Sequence, residues 1–236
     1  NWRKTDELVI SNAEHVSVLA AVGELRDRFG VKVIEFDAAS ATSDEAILER
    51  AARAVSARTR LFITSHIFWT TGLVAPLRGI AGICRKVTNG ECLVLADGAQ
   101  SAGMIPVNFP ELDVDFFATT LSKWLCGPSG VGALIGRGSH VETLHPILSG
   151  WRGVEVSEPE GTIGWRNGAR RWEGGSPAYA LYGAAEAAIS VHDEFGKAAF
   201  RWERIRSTAK TLAGRLMSLP LAGAEVLAHS GLVFMS

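Results

Sequence analysis

The sequence has no long hydrophobic run. No uninterrupted apolar segment approaches the roughly 18 to 20 residues that a helix needs to cross a bilayer, and the opening segment, NWRKTDELVI, lacks the apolar core of a signal peptide. We therefore expect no membrane partner and a cytoplasmic location. The chain opens almost directly into a strand-like segment and stops in the apolar run GLVFMS, so we also expect a fragment of a longer protein.

Cysteine is scarce, with three in 236 residues. Cys84, Cys92 and Cys126 are odd in number and lack the spacing of metal ligands, which argues against a disulfide framework and against a zinc site. We expect three reduced thiols and no bound metal.

An excess of one charge is also missing, since 24 Lys and Arg residues face 25 Asp and Glu residues for a net charge of −1. Without a run of basic residues, nucleic acid is not an expected partner. The sequence does have the composition of a globular protein, with 47% hydrophobic and 21% charged residues. Its length is sufficient for a substantial domain with a large buried core.

Apolar residues alternate between the spacings of strands and helices along most of the chain. Strands are predicted over residues 7–11, 31–36, 61–64, 92–96 and 130–136. Helical faces are predicted at Val18/Val22/Leu25/Phe29, Ile47/Ala51/Val55, Leu77/Ile80/Ala81/Cys84, Ala184/Ala188/Val191/Phe195 and Ile205/Ala209/Leu212/Leu216. The pattern predicts that Gly30 ends the first helix and that Ser43 begins the second. This alternation indicates an α/β fold with helices layered on a sheet.

An acid and a lysine stand out in the segment 93–132. An apolar run ends in Asp97, and a carboxylate at the carboxyl end of a buried parallel strand lies where open α/β sheets bind ligands. Lys123 follows in a Gly-rich turn. An amine that forms a Schiff base and an acid beside the ring nitrogen are the two groups that pyridoxal 5'-phosphate (PLP) requires. The spacing alone does not single out this site, because Lys is usually a solvated surface residue.

The surrounding residues resemble one family. DGAQ at 97–100 followed by TLSKWLCGPSGVGAL at 120–134 looks like the class V aminotransferases, which are fold type I PLP enzymes. Three further segments match in order: SNAEHVSV at 11–18, TSHIFWTTG at 64–72 and RRWEGGSP at 170–177. The family includes cysteine desulfurases, selenocysteine lyases, kynureninases and isopenicillin N epimerases.

The resemblance implies a three-layer α/β sandwich with a mostly parallel central sheet. It places a PLP-binding large domain, lacking its amino-terminal segment, at residues 1–195 and the beginning of a smaller α+β domain at residues 196–236. The irregular segment 138–176, rich in Gly and Trp, is expected to line the active site. The phosphate loop, the persulfide cysteine and the carboxylate-binding arginine of relatives all fall outside the sequence.

The same resemblance implies the chemistry of four residues. Lys123 would hold PLP as a Schiff base and then act as the base at the substrate Cα, while Asp97 would keep the pyridinium protonated. His15 would stack on the cofactor ring and carry protons, for which an imidazole is suited. Gln100 would hydrogen-bond the phenolic oxygen of PLP. His15 also has a structural interpretation as a polar residue at a helix start, and Gln100 as an exposed loop amide.

Three hydroxyl residues match phosphate-binding positions. Thr120 and Ser122 flank the lysine, where hydroxyls and backbone amides can hold an anion. Ser176 matches a hydroxyl that reaches the phosphate bound in a neighbouring subunit, which implies a homodimer with shared sites. The structural alternatives are turn capping for the first two residues and a helix N-cap before Pro177 for Ser176.

Three residues mark departures from desulfurases or carry other interpretations. Trp69 stands where desulfurases have Asn, and an indole has one donor and no acceptor, so the substrate pocket must differ. We expect His66 to be a buried hydrogen-bonding residue rather than a catalytic one. Cys126, close to the lysine, is interpreted as a small buried hydrophobe rather than a sulfur-accepting nucleophile.

The resemblance therefore implies a PLP-dependent enzyme acting at the Cα or Cβ of an amino-acid substrate, of the cysteine desulfurase or C–S lyase type. The Trp in SHIFWTTG and the string KWLCGP favour the isopenicillin N epimerase-like branch, so a racemase or an aminotransferase is the alternative. A PLP-fold regulatory domain is the alternative outside enzymes, although the helix-turn-helix of such regulators is not seen in this sequence.

Overall fold

The computed structural model describes residues 2–157, 161–218 and 226–235. The strands of its main sheet are β1 Glu7–Ser11, β2 Lys32–Phe36, β3 Thr59–Ser65, β4 Leu93–Asp97, β5 Phe116–Thr120 and β6 Gly132–Gly136. The helices are α1 Val16–Phe29, α2 Asp44–Ala54, α3 Leu77–Thr88, the short α4 Phe109–Leu112, α5 Gly138–Thr143, α6 Tyr179–Glu194 and α7 Ala198–Met217. A 3-10 helix covers Gly168–Trp172, and two small hairpins pair β7 Val154–Ser157 with β8 Thr162–Trp165 and β9 Val226–Leu227 with β10 Phe234–Met235.

The sheet has the strand order β2-β1-β3-β4-β5-β6. Strands β1 to β5 are parallel to their neighbours, and β6 is antiparallel to β5. The prediction of a mostly parallel central sheet is therefore confirmed. Parallel strands end at the same edge of the sheet, so the loops that follow β1, β3, β4 and β5 all lie at the carboxyl edge.

Two hydrophobic clusters pack on opposite faces of the sheet because successive side chains of a strand alternate between faces. Helices α2 and α3 cover one face, where Val9, Phe62 and Val94 pack with Ile47 and Ile80. Helix α1 covers part of the other face, and its Val22 packs with neighbouring core residues, namely Leu8, Ile10, Val31 and Ile63. These layers confirm the predicted α/β architecture.

The predicted helix boundaries at Gly30 and Ser43 are confirmed. Gly30 ends α1 in the left-handed conformation at φ 67°, which glycine adopts without steric cost. The hydroxyl of Ser43 accepts the backbone N–H of Ala46 at 3.2 Å, which satisfies a free donor in the first turn of α2.

Three features of the fold differ from the sequence-based expectations. The segment 138–176, expected to be irregular, contains α5, the β7/β8 hairpin and the 3-10 helix. Strand β5 was not predicted, because only Phe117 in FFATT is fully buried and the apolar run is too short to show a period. The predicted buried face of α6 is wrong, since Ala185 is its buried residue and Val191 is exposed. A helix with alanines on several sides gives no clear apolar stripe. In α7, the predicted Ala209 is buried together with Ala213.

The segment 226–235 contacts the loop that follows β4. Ser230 is buried, and the backbone N–H of Gly231 contacts the sulfur of Met104 at 3.3 Å. The division into domains at residues 1–195 and 196–236 stays a prediction. Among the described residues, no helix is both long enough and apolar enough to cross a bilayer.

Candidate active site

A cavity of about 180 Å³ opens at the carboxyl edge of the sheet. The residues that line it come from the loops after β1, β3, β4 and β5, and they are His15, Ser17, Ser65, Ile67, Trp69, Asp97, Ala99, Gln100 and Lys123. The structure thus brings together four of the seven residues singled out from the sequence. Asp97 and Gln100 come from the same segment at the end of β4, whereas His15 and Lys123 come from two other loops, so the fold of the sheet brings the three segments together.

Asp97 is the last residue of β4, directly opposite Ser65 at the end of β3. Its carboxylate accepts the backbone N–H of Ala99 at 2.8 Å, which holds the following turn. That turn requires glycine at position 98, because a Cβ on Gly98 would lie 2.0 Å from the ring of Phe117. In the described part of the chain, Asp97 forms no ion pair, although Lys123 lines the same cavity.

His15 is the N-cap of α1 and also lines the cavity. Its Nδ1 accepts the backbone N–H of Ser17 at 3.2 Å and lies 2.7 Å from the Ser17 hydroxyl. Because Nδ1 accepts, the proton of the neutral ring sits on Nε2. The ring also meets Trp69 edge-on, with centroids 5.6 Å apart. The helix-start interpretation of His15 is therefore confirmed, and it is compatible with a role in the cavity.

Lys123 lies in the loop that follows β5. The loop is closed by two backbone hydrogen bonds, from Cys126 to the Lys123 carbonyl at 2.9 Å and from Gly127 to the Leu121 carbonyl at 2.7 Å. The lysine side chain is exposed at the cavity mouth, as an amine that receives a ligand must be.

Thr120 and Ser122 lie next to this cavity rather than in its lining. Their hydroxyls are 3.0 Å apart and hydrogen-bonded to each other. Thr120 lines a second cavity of about 390 Å³, between α1 and the sheet, which shares Asp97 and Ala99 with the first. The two hydroxyls therefore flank the lysine on a continuous surface.

Ser176 is not brought to this cavity within the described chain. It is exposed on the segment before α6, and α6 begins at Tyr179 with Ala178 as its N-cap. The prediction that Ser176 caps this helix is wrong, because the chain turns helical two residues after Pro177.

Glu14 is a site residue that sequence reasoning missed, although it directly precedes His15. Its carboxylate is buried and accepts three hydrogen bonds, from the Ser11 hydroxyl at 2.5 Å, the Ser65 backbone N–H at 2.8 Å and the Ser65 hydroxyl at 2.7 Å. Burial raises the pKa of Glu14, these hydrogen bonds oppose the rise, and the nearby Asp97 adds to it. The only sequence signal was an acid between a buried strand and a helix start.

His66 is buried directly after β3. Its Nδ1 lies 2.9 Å from the Ser101 hydroxyl, and its ring meets Phe117 edge-on. Burial lowers the pKa of His66 to about 4, so the ring is neutral at neutral pH. The prediction of a structural hydrogen-bonding histidine is confirmed.

The three cysteines are free, and two of them, Cys84 and Cys92, are buried. Cys126 is exposed, so its interpretation as a buried hydrophobe is wrong. The turn that closes the lysine loop places Cys126 at φ 54°, outside the core.

The donor set of the cavity fits PLP. Lys123 offers an amine, Asp97 an acid with no ion pair among the described residues, Gln100 an amide and His15 a flat ring. A cofactor with an aldehyde and a cationic ring nitrogen would find a partner for each group here. The described part of the chain contains no cluster of three or more side chains able to ligate a metal.

Comparison with known proteins agrees with this chemistry. A family model described as Aminotransferase class-V matches residues 1–230. The isopenicillin N epimerase of Streptomyces clavuligerus is 29% identical over 208 residues, covering 84% of this chain and 51% of that protein. The cysteine desulfurase of Haloferax volcanii is 28% identical over 193 residues, covering 81% of this chain and 43% of that protein.

Solved structures extend the similarity to the whole fold. The complex of the cystine C–S lyase C-DES with its product cysteine persulfide aligns over 100% of this chain and 63% of that chain, with a TM-score of 0.92 and 34% identity. The chain spans about half the length of the curated relatives it matches, 51% and 43% in these two cases. Because the family model matches nearly the entire sequence, this chain belongs to the class V aminotransferase family.

Proposed function

We propose that this chain forms the cofactor-binding part of a PLP-dependent C–S lyase that acts on a sulfur-containing amino acid. The observation that carries the proposal is the shared cavity of Lys123 and Asp97 at the carboxyl edge, where the described residues form no ion pair with Asp97. The 34% identity to a cystine C–S lyase supports this reaction over others. When bound, PLP withdraws electrons from the substrate Cα.

The residues of the cavity take defined roles in this proposal. Lys123 anchors the cofactor and then removes the Cα proton, and Asp97 holds a proton on the ring nitrogen. Gln100 donates to the phenolic oxygen, and His15 stacks on the ring with its Nε2–H available for proton transfer.

The phosphate contacts complete the proposed site. Thr120 and Ser122 bind the phosphate beside the lysine, and Ser176 binds the phosphate of the neighbouring subunit in a homodimer. Ser176 is exposed and lies outside the lining of the cavity in its own chain, which supports a contact with the phosphate bound in the neighbouring subunit.

An epimerase is the second candidate function. The 29% identity to an isopenicillin N epimerase favours it, as does Trp69 in the cavity. An epimerase returns a proton to Cα and releases no sulfur, whereas a lyase breaks the bond between Cβ and sulfur.

The two functions are separated by the products formed from cystine. The protein reconstituted with PLP is incubated with L-cystine, and the lyase is expected to release cysteine persulfide, pyruvate and ammonia, with water supplying the keto oxygen. D-cystine without pyruvate would instead establish the epimerase. A parallel incubation with L-cysteine and a thiol reductant tests the desulfurase, which would release alanine and, after reduction of the persulfide that it forms, sulfide. Bound PLP without product from either substrate would contradict both the lyase and the desulfurase.

A further inference from the structure

Gln100 makes a hydrogen bond that fixes the direction of its amide. The indole N–H of Trp124 donates to the Gln100 Oε1 at 3.0 Å. An indole has a donor and no acceptor, so only the amide oxygen can face it. The amide nitrogen, with its two N–H donors, is therefore turned away from Trp124.

Trp124 is itself held in place by the surrounding fold. The turn that contains Gly103 approaches its backbone so closely that a Cβ on Gly103 would lie 2.6 Å from the Trp124 carbonyl carbon. The indole also lines a surface cavity with Ile205 of α7 and with Gly231. Gly231 approaches the ring itself, since a Cβ on Gly231 would lie 2.9 Å from the Trp124 Cη2. Close contacts at both the backbone and the ring hold the indole with its N–H toward Gln100.

We propose that Trp124 is a positioning residue that orients the Gln100 amide so that its N–H donors face the Lys123 cavity. The inference rests on the proposed function, in which these donors bind the phenolic oxygen of PLP. The loop after β5 then supplies both the amine of Lys123 and, from the next position, the indole of Trp124 that orients Gln100. A reversed amide would turn an oxygen toward the phenolic oxygen and repel it.

The central test removes the indole N–H and keeps the aromatic volume. Trp124→Phe should weaken PLP binding roughly fivefold, the effect of one net hydrogen bond of about 1 kcal/mol. It should also shift to higher pH the transition in visible absorbance of the bound cofactor, because the phenolate loses a donor. Trp172→Phe is the matched control, since the Trp172 indole also donates, to the Val141 carbonyl at 3.4 Å, away from the cavity.

A double-mutant cycle distinguishes positioning from general packing. In a Gln100→Ala background, Trp124→Phe should have no further effect on PLP affinity or on the absorbance transition. An additive loss in that background would overturn the proposal, as would unchanged affinity and pH dependence in Trp124→Phe alone. Gln100→Glu should keep the indole contact but lose the donors, and should bind PLP as weakly as Gln100→Ala.

A readout without cofactor separates this inference from the proposed function. In protein labelled with ¹⁵N-tryptophan, the Trp124 indole resonance, assigned by its loss in Trp124→Phe, should exchange slowly with solvent. It should move and lose this protection in Gln100→Ala, and it should keep the protection in Gln100→Glu, which retains an acceptor. An unchanged resonance in Gln100→Ala would refute the hydrogen bond. Failure of the wild type to bind PLP would refute the proposed function and the role of Trp124 in it, while this resonance would still decide the hydrogen bond.

Discussion

The two edges of the central sheet each bury a glutamate beside β1, but they treat its charge differently. Glu7, at the amino edge, is 2% exposed and accepts hydrogen bonds from Arg58, Lys32 and Ser56. Glu14, at the carboxyl edge, is 4% exposed and accepts only from the neutral donors of Ser11 and Ser65 in the described structure. The amino edge thus neutralises its buried glutamate with cations, whereas Glu14 at the carboxyl edge has only neutral partners among the described residues.

The pKa values of the two acids move in opposite directions for this reason. Burial raises the pKa of Glu7, but hydrogen bonds from Ser56, Arg58 and Lys32 outweigh it and bring the pKa below its ordinary value. Burial raises the pKa of Glu14, and its hydrogen bonds do not outweigh the rise, to which Asp97 contributes. A sheet edge at which Asp97 and Glu14 form no ion pair among the described residues is suited to a ligand that carries positive charge, as the ring of PLP does.

The largest expected effect is at the acid of the cavity. Asp97→Asn keeps the acceptor for the Ala99 N–H but removes the charge, so turnover of the PLP-loaded protein should fall about a thousandfold, or ~4 kcal/mol. Asp113→Asn at the amino edge is the control, because Asp113 adopts φ 60°, which Asn tolerates. Steady-state kinetics with cystine measures both variants, and a loss of less than tenfold in Asp97→Asn would remove Asp97 from the mechanism.

Substitutions of the buried Glu14 test whether its hydrogen bonds or its charge contribute to the stability of the fold. Glu14→Ala leaves the donors of Ser11 and Ser65 unpaired and should lower the free energy of unfolding by about 4 kcal/mol. Glu14→Gln can pair with the same groups, and because a raised pKa makes the charged form costly, it should be at least as stable as wild type at pH 7. Urea denaturation decides the issue, and equal destabilisation by both variants would contradict this reasoning.

Local pattern accounts for part of the fold and of the site. The apolar run that ends in Asp97 predicted that this acid lies at the carboxyl end of a parallel strand. The glycines after Lys123 predicted that the lysine lies in a turn. The partners of Glu14 could not be predicted, because Ser65 lies 51 residues away in sequence. The contact between Trp124 and Gln100 spans 24 residues and depends on how two turns approach. Strand β5 was missed because its order comes from its neighbours and not from its own short sequence.

His66 extends the comparison to a base at the carboxyl edge. Its pKa of about 4 lies below the ordinary value of 6.5, so the unfolded chain binds the proton more readily and stability is lost as pH falls from 6.5 through 4. The loss should reach about 3 kcal/mol relative to His66→Gln, which keeps a partner for Ser101 but does not titrate. Unfolding free energies at pH 7 and pH 4 give this difference, and parallel profiles for the two proteins would contradict it.

The smallest effect is expected at the neutralised amino edge. Glu7→Gln should lower the free energy of unfolding at pH 7 by about 1 kcal/mol, because Arg58 and Lys32 are largely solvated and their attraction is screened. Since the pKa of Glu7 is lowered, this contribution is present above pH 4.5 and is lost as pH falls below it. Denaturation at pH 7 and pH 3 measures the difference, which should be smaller at the lower pH. If the two proteins differed more in unfolding free energy at pH 3 than at pH 7, the pKa of Glu7 would not be lowered and the account would be contradicted.

The central claim, that Lys123 anchors PLP in the carboxyl-edge cavity, is tested most directly by borohydride reduction of the PLP-loaded protein followed by peptide mass spectrometry. The wild type and the surface control Lys86→Ala should carry one pyridoxyl group, on Lys123, and Lys123→Ala should carry none there and lose the visible absorbance of the attached cofactor. A pyridoxyl group on another lysine of the wild type, or undiminished labelling of Lys123→Ala, would contradict the claim.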